Sequence, residues 1–208
     1  MKIRSAVAGL SVLILVCFAC QVKQKETSTT TADTLATDTV VTAADIANLV
    51  ENDSVANDCV RGEPEPVLKK AVYPNEIFQR QPDGTAIEST DLEHNDRLLI
   101  YHKGCEYYWL TFRFETSRFQ ADTTDVPYWM DKAVGFMRDI RKGLDAPIDT
   151  DNGTDAIARL LKEKKTAELT EEIVFEEGSI RSAATLDRVQ KIDDRRYAIE
   201  ISFFTGPL

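Results

Sequence analysis

The chain of 208 residues is short of the residue types on which several large classes of protein depend. Its 9 glycines and 7 prolines are too few for a collagen-like repeat. Basic residues are in deficit, with 25 Lys and Arg against 35 Asp and Glu. Because nucleic-acid binding relies on basic residues that displace counterions, the formal charge of −10 predicts that nucleic acid is not a partner.

Histidine is also scarce, since His94 and His102 are the only two. This limits catalysis by a histidine-activated nucleophile and hydrolysis at a histidine-held metal. The metalloprotease, nucleophile-elbow, phosphate-loop and dinucleotide-binding motifs are absent from the sequence. We interpret His94 as an exposed loop residue and His102 as a hairpin residue. No metal or cofactor is expected, and the sequence favours a protein without catalytic activity.

Long apolar runs are lacking except for one at the start of the chain. Lys2 and Arg4 precede an apolar run that extends from Ala6 to Phe18. This run is shorter than the roughly 20 residues that span a bilayer as a helix. A basic start followed by a short apolar run is typical of a secretory signal peptide that is cleaved.

The end of this run, Cys17, Phe18, Ala19, Cys20, Gln21, resembles the lipobox of bacterial lipoprotein precursors, with Cys17 where leucine is usual. The resemblance covers the first 20 residues. It implies that residues 1–19 are removed and that Cys20 becomes the acylated, palmitate-bearing first residue. The chain would then be anchored by lipid to a bacterial membrane, with its domain facing the periplasm or the exterior. The alternative is an ordinary signal peptide cut elsewhere, with Cys20 a free thiol.

Cleavage before Cys20 changes the charge and leaves a tether. The cut removes two basic residues and no acidic one, so the formal charge goes from −10 to −12. Residues 20–56 are rich in threonine and contain no aromatic residue, and such a composition cannot build a core. As a flexible coil this segment would reach roughly 30 Å. We expect a single globular domain over residues 57–208.

Cys59 and Cys105 are the two cysteines that remain in this domain. In an oxidising compartment two such cysteines predict one disulfide bond. Closing the loop between them would stabilise the fold by about 4 kcal/mol in the chain-entropy model. The alternative of a metal site lacks the three or four ligands that zinc requires.

Strand patterns flank a block of helical periodicity. Strands are predicted at 66–73, 77–81, 84–89, 97–102, 105–115, 169–176, 180–189 and 195–204, and helices at 126–144 and 154–164. Lys103 and Gly104 are predicted to form a two-residue hairpin turn between two of these strands. Strands, then two helices, then strands indicate an α+β fold, with the helices on one face of a largely antiparallel sheet.

Aromatic residues concentrate between Tyr101 and Trp129. Alternation along the strand 105–115 predicts that Tyr107, Trp109 and Arg113 share one face, opposite a second face of core residues. A face that mixes aromatic and charged residues is typical of a recognition surface, because flat rings give a large contact area at a small entropic cost. This is the candidate binding face. The alternative is that the face packs against the tether or an edge loop.

The stretches 57–66, NDCVRGEPEP, and 104–109, GCEYYW, resemble uncharacterised exported bacterial lipoproteins, a resemblance that implies no activity. We therefore predict a membrane-tethered envelope lipoprotein with a non-catalytic binding or accessory domain, whose partner is an envelope protein or ligand. One alternative is an inhibitor or immunity-type lipoprotein, in which an acidic domain neutralises a basic enzyme. Another is an envelope hydrolase based on carboxylates.

Overall fold

The computed structural model describes residues 59–164 and 166–208. The predicted signal peptide, the predicted lipidation site Cys20 and the predicted tether lie outside the described residues. Within them, the chain forms an antiparallel sheet of seven strands and two helices, so the predicted α+β class is confirmed. Both helices follow the fourth strand and precede the last three.

The sheet has the strand order β1-β2-β3-β4-β7-β6-β5. The last strand therefore lies beside β4 at the centre of the sheet, and β1 and β5 form its two edges. The strands are β1 (Ile77–Arg80), β2 (Ala86–Asp91), β3 (Arg97–Lys103), β4 (Tyr108–Thr116), β5 (Ile173–Glu176), β6 (Arg181–Lys191) and β7 (Tyr197–Gly206), and the helices are α1 (Val126–Ile140) and α2 (Thr150–Glu163).

Both helices pack on the same face of the sheet. Alternation in the central strands sends Leu110, Phe112 and Phe114 of β4 into a single buried cluster with the apolar residues of both helices. The rings of Phe114 and Phe136 stack in this cluster with centroids 4.7 Å apart. Trp129 of α1 is completely buried there. This layer of apolar side chains between helices and sheet is the core.

Each helix begins at a capping aspartate. The Asp125 side chain accepts a hydrogen bond from the backbone N–H of Tyr128, and Asp149 does the same for Asn152. Such caps satisfy N–H groups that have no partner inside the helix. Gly153 lets α2 approach the sheet, because a Cβ atom there would meet the rings of Phe203 and Phe175.

Two predicted elements are wrong. Residues 66–73 do not form a strand, since only Leu68 makes a bridge, to Leu144. The connection between β3 and β4 is not a two-residue turn, because β3 ends at Lys103 and β4 begins at Tyr108. The intervening residues carry Gly104, whose φ of 85° is in the left-handed region that suits glycine.

The predicted disulfide between Cys59 and Cys105 is present, with their Cα atoms 4.6 Å apart. It joins the first described residue to the β3–β4 loop. Arg61 strengthens this attachment, since its guanidinium donates hydrogen bonds to the carbonyl oxygens of Gly84, at 2.7 Å, and Gly104. The start of the described chain is therefore fixed to one end of the sheet.

Helices of a length and hydrophobicity that would cross a membrane do not occur in the described part of the chain.

Candidate functional site

The face of the sheet opposite the helices carries two of the three candidate binding residues, Trp109 and Arg113, and we call it the open face. No helix of the described residues packs against it. On β4 it is formed by Trp109, Thr111, Arg113 and Glu115, and its character changes from aromatic through hydroxyl-bearing to charged along the strand.

The aromatic section lies where β3 ends and β4 begins. The rings of Trp109 and Phe204 have centroids 5.2 Å apart, as expected for directly paired residues on β4 and β7. Phe204 is buried, whereas Trp109 is 37% exposed. Tyr101 of β3 is half-buried, and the Lys103 ammonium lies 5.4 Å from the centre of its ring. Burial raises the pKa of the Tyr101 phenol above its ordinary value.

The hydroxyl section is a chain of hydrogen bonds across β4, β7 and β6. The Asp187 carboxylate accepts hydrogen bonds from the hydroxyls of Thr185 and Ser202. The Thr111 and Ser202 hydroxyl oxygens are 2.7 Å apart. Because the Ser202 proton is directed to Asp187, Thr111 is the donor in this second bond. A β-bulge in β6 between Leu186 and Arg188 lets Asp187 reach this row.

The charged section is centred on Arg113. Its guanidinium lies 2.6 Å from a Glu200 carboxylate oxygen and 3.0 Å from one of Glu115. Burial alone would lower the pKa of Arg113, but the hydrogen bonds to Glu200 and Glu115 outweigh it and raise the pKa above its ordinary value. Arg188 and Arg196 extend the network at 3.7 Å and 3.8 Å from these two glutamates. The charged section thus contains three arginines and two glutamates.

Of the three candidate binding residues, Trp109 and Arg113 share the open face, one on each side of Thr111. Tyr107 precedes β4, is 39% exposed, and packs its ring against Gly206. The Arg113 guanidinium donates two of its five N–H groups, to Glu115 and Glu200, and its side chain is 17% exposed. Tyr107 and Trp109 are therefore the more accessible of the three candidate residues.

A buried pair of ionisable residues on the helix-covered face was missed by the sequence interpretation. The Glu88 carboxylate accepts hydrogen bonds from the backbone N–H groups of Val67, at 2.9 Å, and Leu68, at 2.8 Å, and lies 3.3 Å from His102 Nε2. Both side chains are almost completely buried. His102 lies in the β3–β4 hairpin, as predicted, but its burial and its pairing with Glu88 were not predicted. His94 is exposed in the β2–β3 loop, as predicted. Nothing in the spacing of Glu88 and His102 signals that they pair.

A cleft of about 580 Å³ lies on the helix side, beside Tyr108. Arg61 and Arg80 line it, but Arg61 donates to backbone carbonyls and Arg80 is 3.1 Å from Glu63. Burial raises the pKa of the Tyr108 phenol. The carboxylates of Glu63, Glu65 and Asp145 also line the cleft, and Glu63 is the one that pairs with Arg80.

Among residues 59–164 and 166–208, no group of three or more His, Cys, Asp or Glu side chains is placed to hold a metal ion. Comparison of the chain with protein-family models, with curated proteins and with solved structures finds no match.

Proposed function

We propose that this chain is a lipid-anchored protein of the bacterial cell envelope whose domain binds an envelope component through the open face, without catalysis. The anchor is Cys20, on the basis of the lipobox-like sequence that precedes it. The domain is the folded body that begins near the disulfide at Cys59.

The observation that carries the binding proposal is a row of mutually hydrogen-bonded side chains at the centre of the open face. Asp187, Ser202 and Thr111 bind one another, and Ser202 is completely buried. The Asp187 carboxylate accepts the Ser202 proton and could act as its base, but Ser202 has no exposed surface, so its hydroxyl is not accessible to a substrate. Such a surface is rigid and pre-organised, which favours binding over chemistry.

Photo-crosslinking in intact cells tests this proposal. Replacement of Arg188 by a photo-reactive amino acid puts the probe on the open face, beside Glu200. The matched control is the same replacement of Arg138 on α1, which is also an exposed arginine in an ion pair, with Asp155. We expect a discrete adduct with an envelope component from position 188 and none from position 138. Equal adducts from both positions, or adducts from position 138 alone, would contradict binding through the open face.

A further inference from the structure

Exposed apolar side chains are concentrated at one end of the sheet. Nine large apolar side chains are exposed among the described residues, and five of them lie at the end where the β3–β4 loop, the β5–β6 turn and the C-terminal residues meet. We call these five the apolar end; they are Val60, Tyr107, Trp109, Ile180 and Leu208. Isolated apolar residues on a surface need no explanation, but a group at one end indicates a contact site.

Backbone pairing holds these residues together. The Leu208 N–H donates to the Glu106 carbonyl at 2.8 Å, which places the C-terminus beside the β3–β4 loop. Arg181 pairs with Gly206, so Ile180 lies next to the same C-terminal residues. The disulfide and the hydrogen bond from Arg61 N–H to the Cys105 carbonyl, at 3.2 Å, bring Val60 to the loop.

We propose that the apolar end rests on the bilayer to which the chain is anchored. This inference rests on the proposed function, because it takes the lipid at Cys20 as given. Its first support is the position of the attachment. The segment that would carry the lipid joins the domain at Cys59, and Cys59 is bonded to the loop that bears Tyr107. The apolar end therefore lies beside Cys59, the residue at which the tether would join the domain.

The second support is the kind of side chain. Trp and Tyr are enriched where proteins meet the headgroup layer, because one part of each ring is apolar and the other can form hydrogen bonds. Three aliphatic residues surround them here. Contact through so few residues is weak by itself, but a tether of about 30 Å keeps the lipid surface at an effective concentration in the millimolar range. A weak contact is then sufficient to orient the domain.

The third support is charge. Lys103 and Glu106, both exposed, flank the aromatic residues with opposite signs, and Arg181 lies 2.7 Å from Glu172. Arg61, next to Val60, donates to the carbonyl oxygens of Gly84 and Gly104. Each basic residue described at this end therefore has a bonded partner or an acidic neighbour. With a formal charge of −12 on the processed chain, the matching surface is a zwitterionic one. This orientation would turn the charged section of the open face away from the bilayer and leave it free for a partner.

The two tryptophans of the chain provide the test. The processed chain, purified with its lipid, is inserted into vesicles of phosphatidylcholine with brominated acyl chains, which quench nearby indoles. Trp129 is completely buried in the core, so only Trp109 can be quenched. Because a docked apolar face enters the headgroup and acyl boundary by about 5 to 10 Å, we expect Trp109 to lose about half of its emission. Trp109→Phe, which keeps an apolar ring, should remove the quenching.

Matched variants at the two ends of β6 test whether the apolar end is the part of the domain that contacts the lipid. Ile180 is 46% exposed at the apolar end, and Ile192 is 42% exposed at the opposite end. Ile180→Ser should reduce the quenching, and Ile192→Ser should leave it unchanged. Adding anionic phosphatidylglycerol to the vesicles should also reduce it. If the anchored chain shows no quenching, or if the two serine variants behave alike, the proposal is overturned.

The Cys20→Ser chain separates this inference from the anchor. If fatty-acid labelling shows that Cys20 carries no lipid, the proposed anchor fails, and docking is then tested by adding brominated vesicles at millimolar lipid to the Cys20→Ser chain. Quenching of Trp109 there supports docking, and its absence overturns it. A dimer of this chain that Ile180→Ser dissociates, without quenching by lipid, would assign the apolar end to a second copy instead.

Discussion

Glu88 attaches the N-terminal part of the domain to the sheet. Its carboxylate accepts the backbone N–H groups of Val67 and Leu68 and contacts His102. These partners are all buried, so they cannot turn to water when the carboxylate is lost. A single side chain thus satisfies three buried polar groups from two separate parts of the chain.

We expect Glu88→Ala to lower the free energy of unfolding by about 3 to 5 kcal/mol, because it leaves buried donors without a partner. Chemical denaturation measures this. Glu93→Ala is the control, since Glu93 is exposed in the β2–β3 loop and its loss should cost less than about 0.5 kcal/mol. A cost at Glu88 no larger than at Glu93 would mean that the buried hydrogen bonds contribute nothing net.

The two tryptophans should differ sharply in their contribution to stability. Trp129 is fully enclosed between α1 and the sheet, and its truncation to alanine should cost about 3 to 5 kcal/mol. Trp109→Ala removes a ring that is 37% exposed and contacts mainly Phe204, so we expect a cost below about 2 kcal/mol. Thermal melts of the two variants measure these losses of stability. Equal losses would show that Trp109 is a core residue and that the aromatic section is not available for binding.

These residues also show where sequence reasoning stops. Alternation along β4 correctly separates Trp109 and Arg113 from Leu110 and Phe112, because a nine-residue strand gives a clear period of two. It says nothing about Glu88, which lies in β2 beside an apolar neighbour that faces the open side. Whether Glu88 or its neighbour Ile87 is buried depends on the pairing of β2 with β3 and on the contact with residues 67–68. Both are contacts between residues far apart in the sequence.

At the scale of the elements, periodicity predicts all seven strands and both helices of the described residues, with bounds that differ by a few residues. The prediction of a strand at 66–73 is wrong, because periodicity does not show which backbone a segment will pair with. The backbone of this segment pairs with the turn after α1 instead of with the sheet, through Lys69 N–H to Gly143 and Asp145 N–H to Val67. An apolar pattern predicts burial, but a strand also needs a neighbouring strand as partner.

The disulfide is the element-scale feature with the largest expected effect. It closes a loop between residues 46 positions apart. The double variant Cys59→Ser, Cys105→Ser should therefore lose about 4 kcal/mol of stability, because the unfolded chain gains conformational freedom. Urea denaturation of the oxidised protein and the variant gives the difference. A difference below about 1 kcal/mol would contradict a structural role for this bond.

At the scale of the whole molecule, the proposals assign a role to each part of the chain. The apolar run directs export, the threonine-rich segment separates the domain from the membrane, and the folded domain provides the binding surface. The structure accounts for the surface of the domain, which β4 and its neighbouring strands form. The first two roles depend on the sequence before Cys59, and above all on Cys20.

Fatty-acid labelling of cells that express the native chain or Cys20→Ser tests this account most directly. We predict that the native chain takes up the label and sediments with membranes, whereas the Cys20→Ser chain is unlabelled and is recovered in the soluble fraction. The control Cys17→Ser should still be labelled, because Cys17 precedes the predicted cleavage site and is removed with the signal peptide. A Cys20→Ser chain that still takes up label and still sediments with membranes would contradict the account.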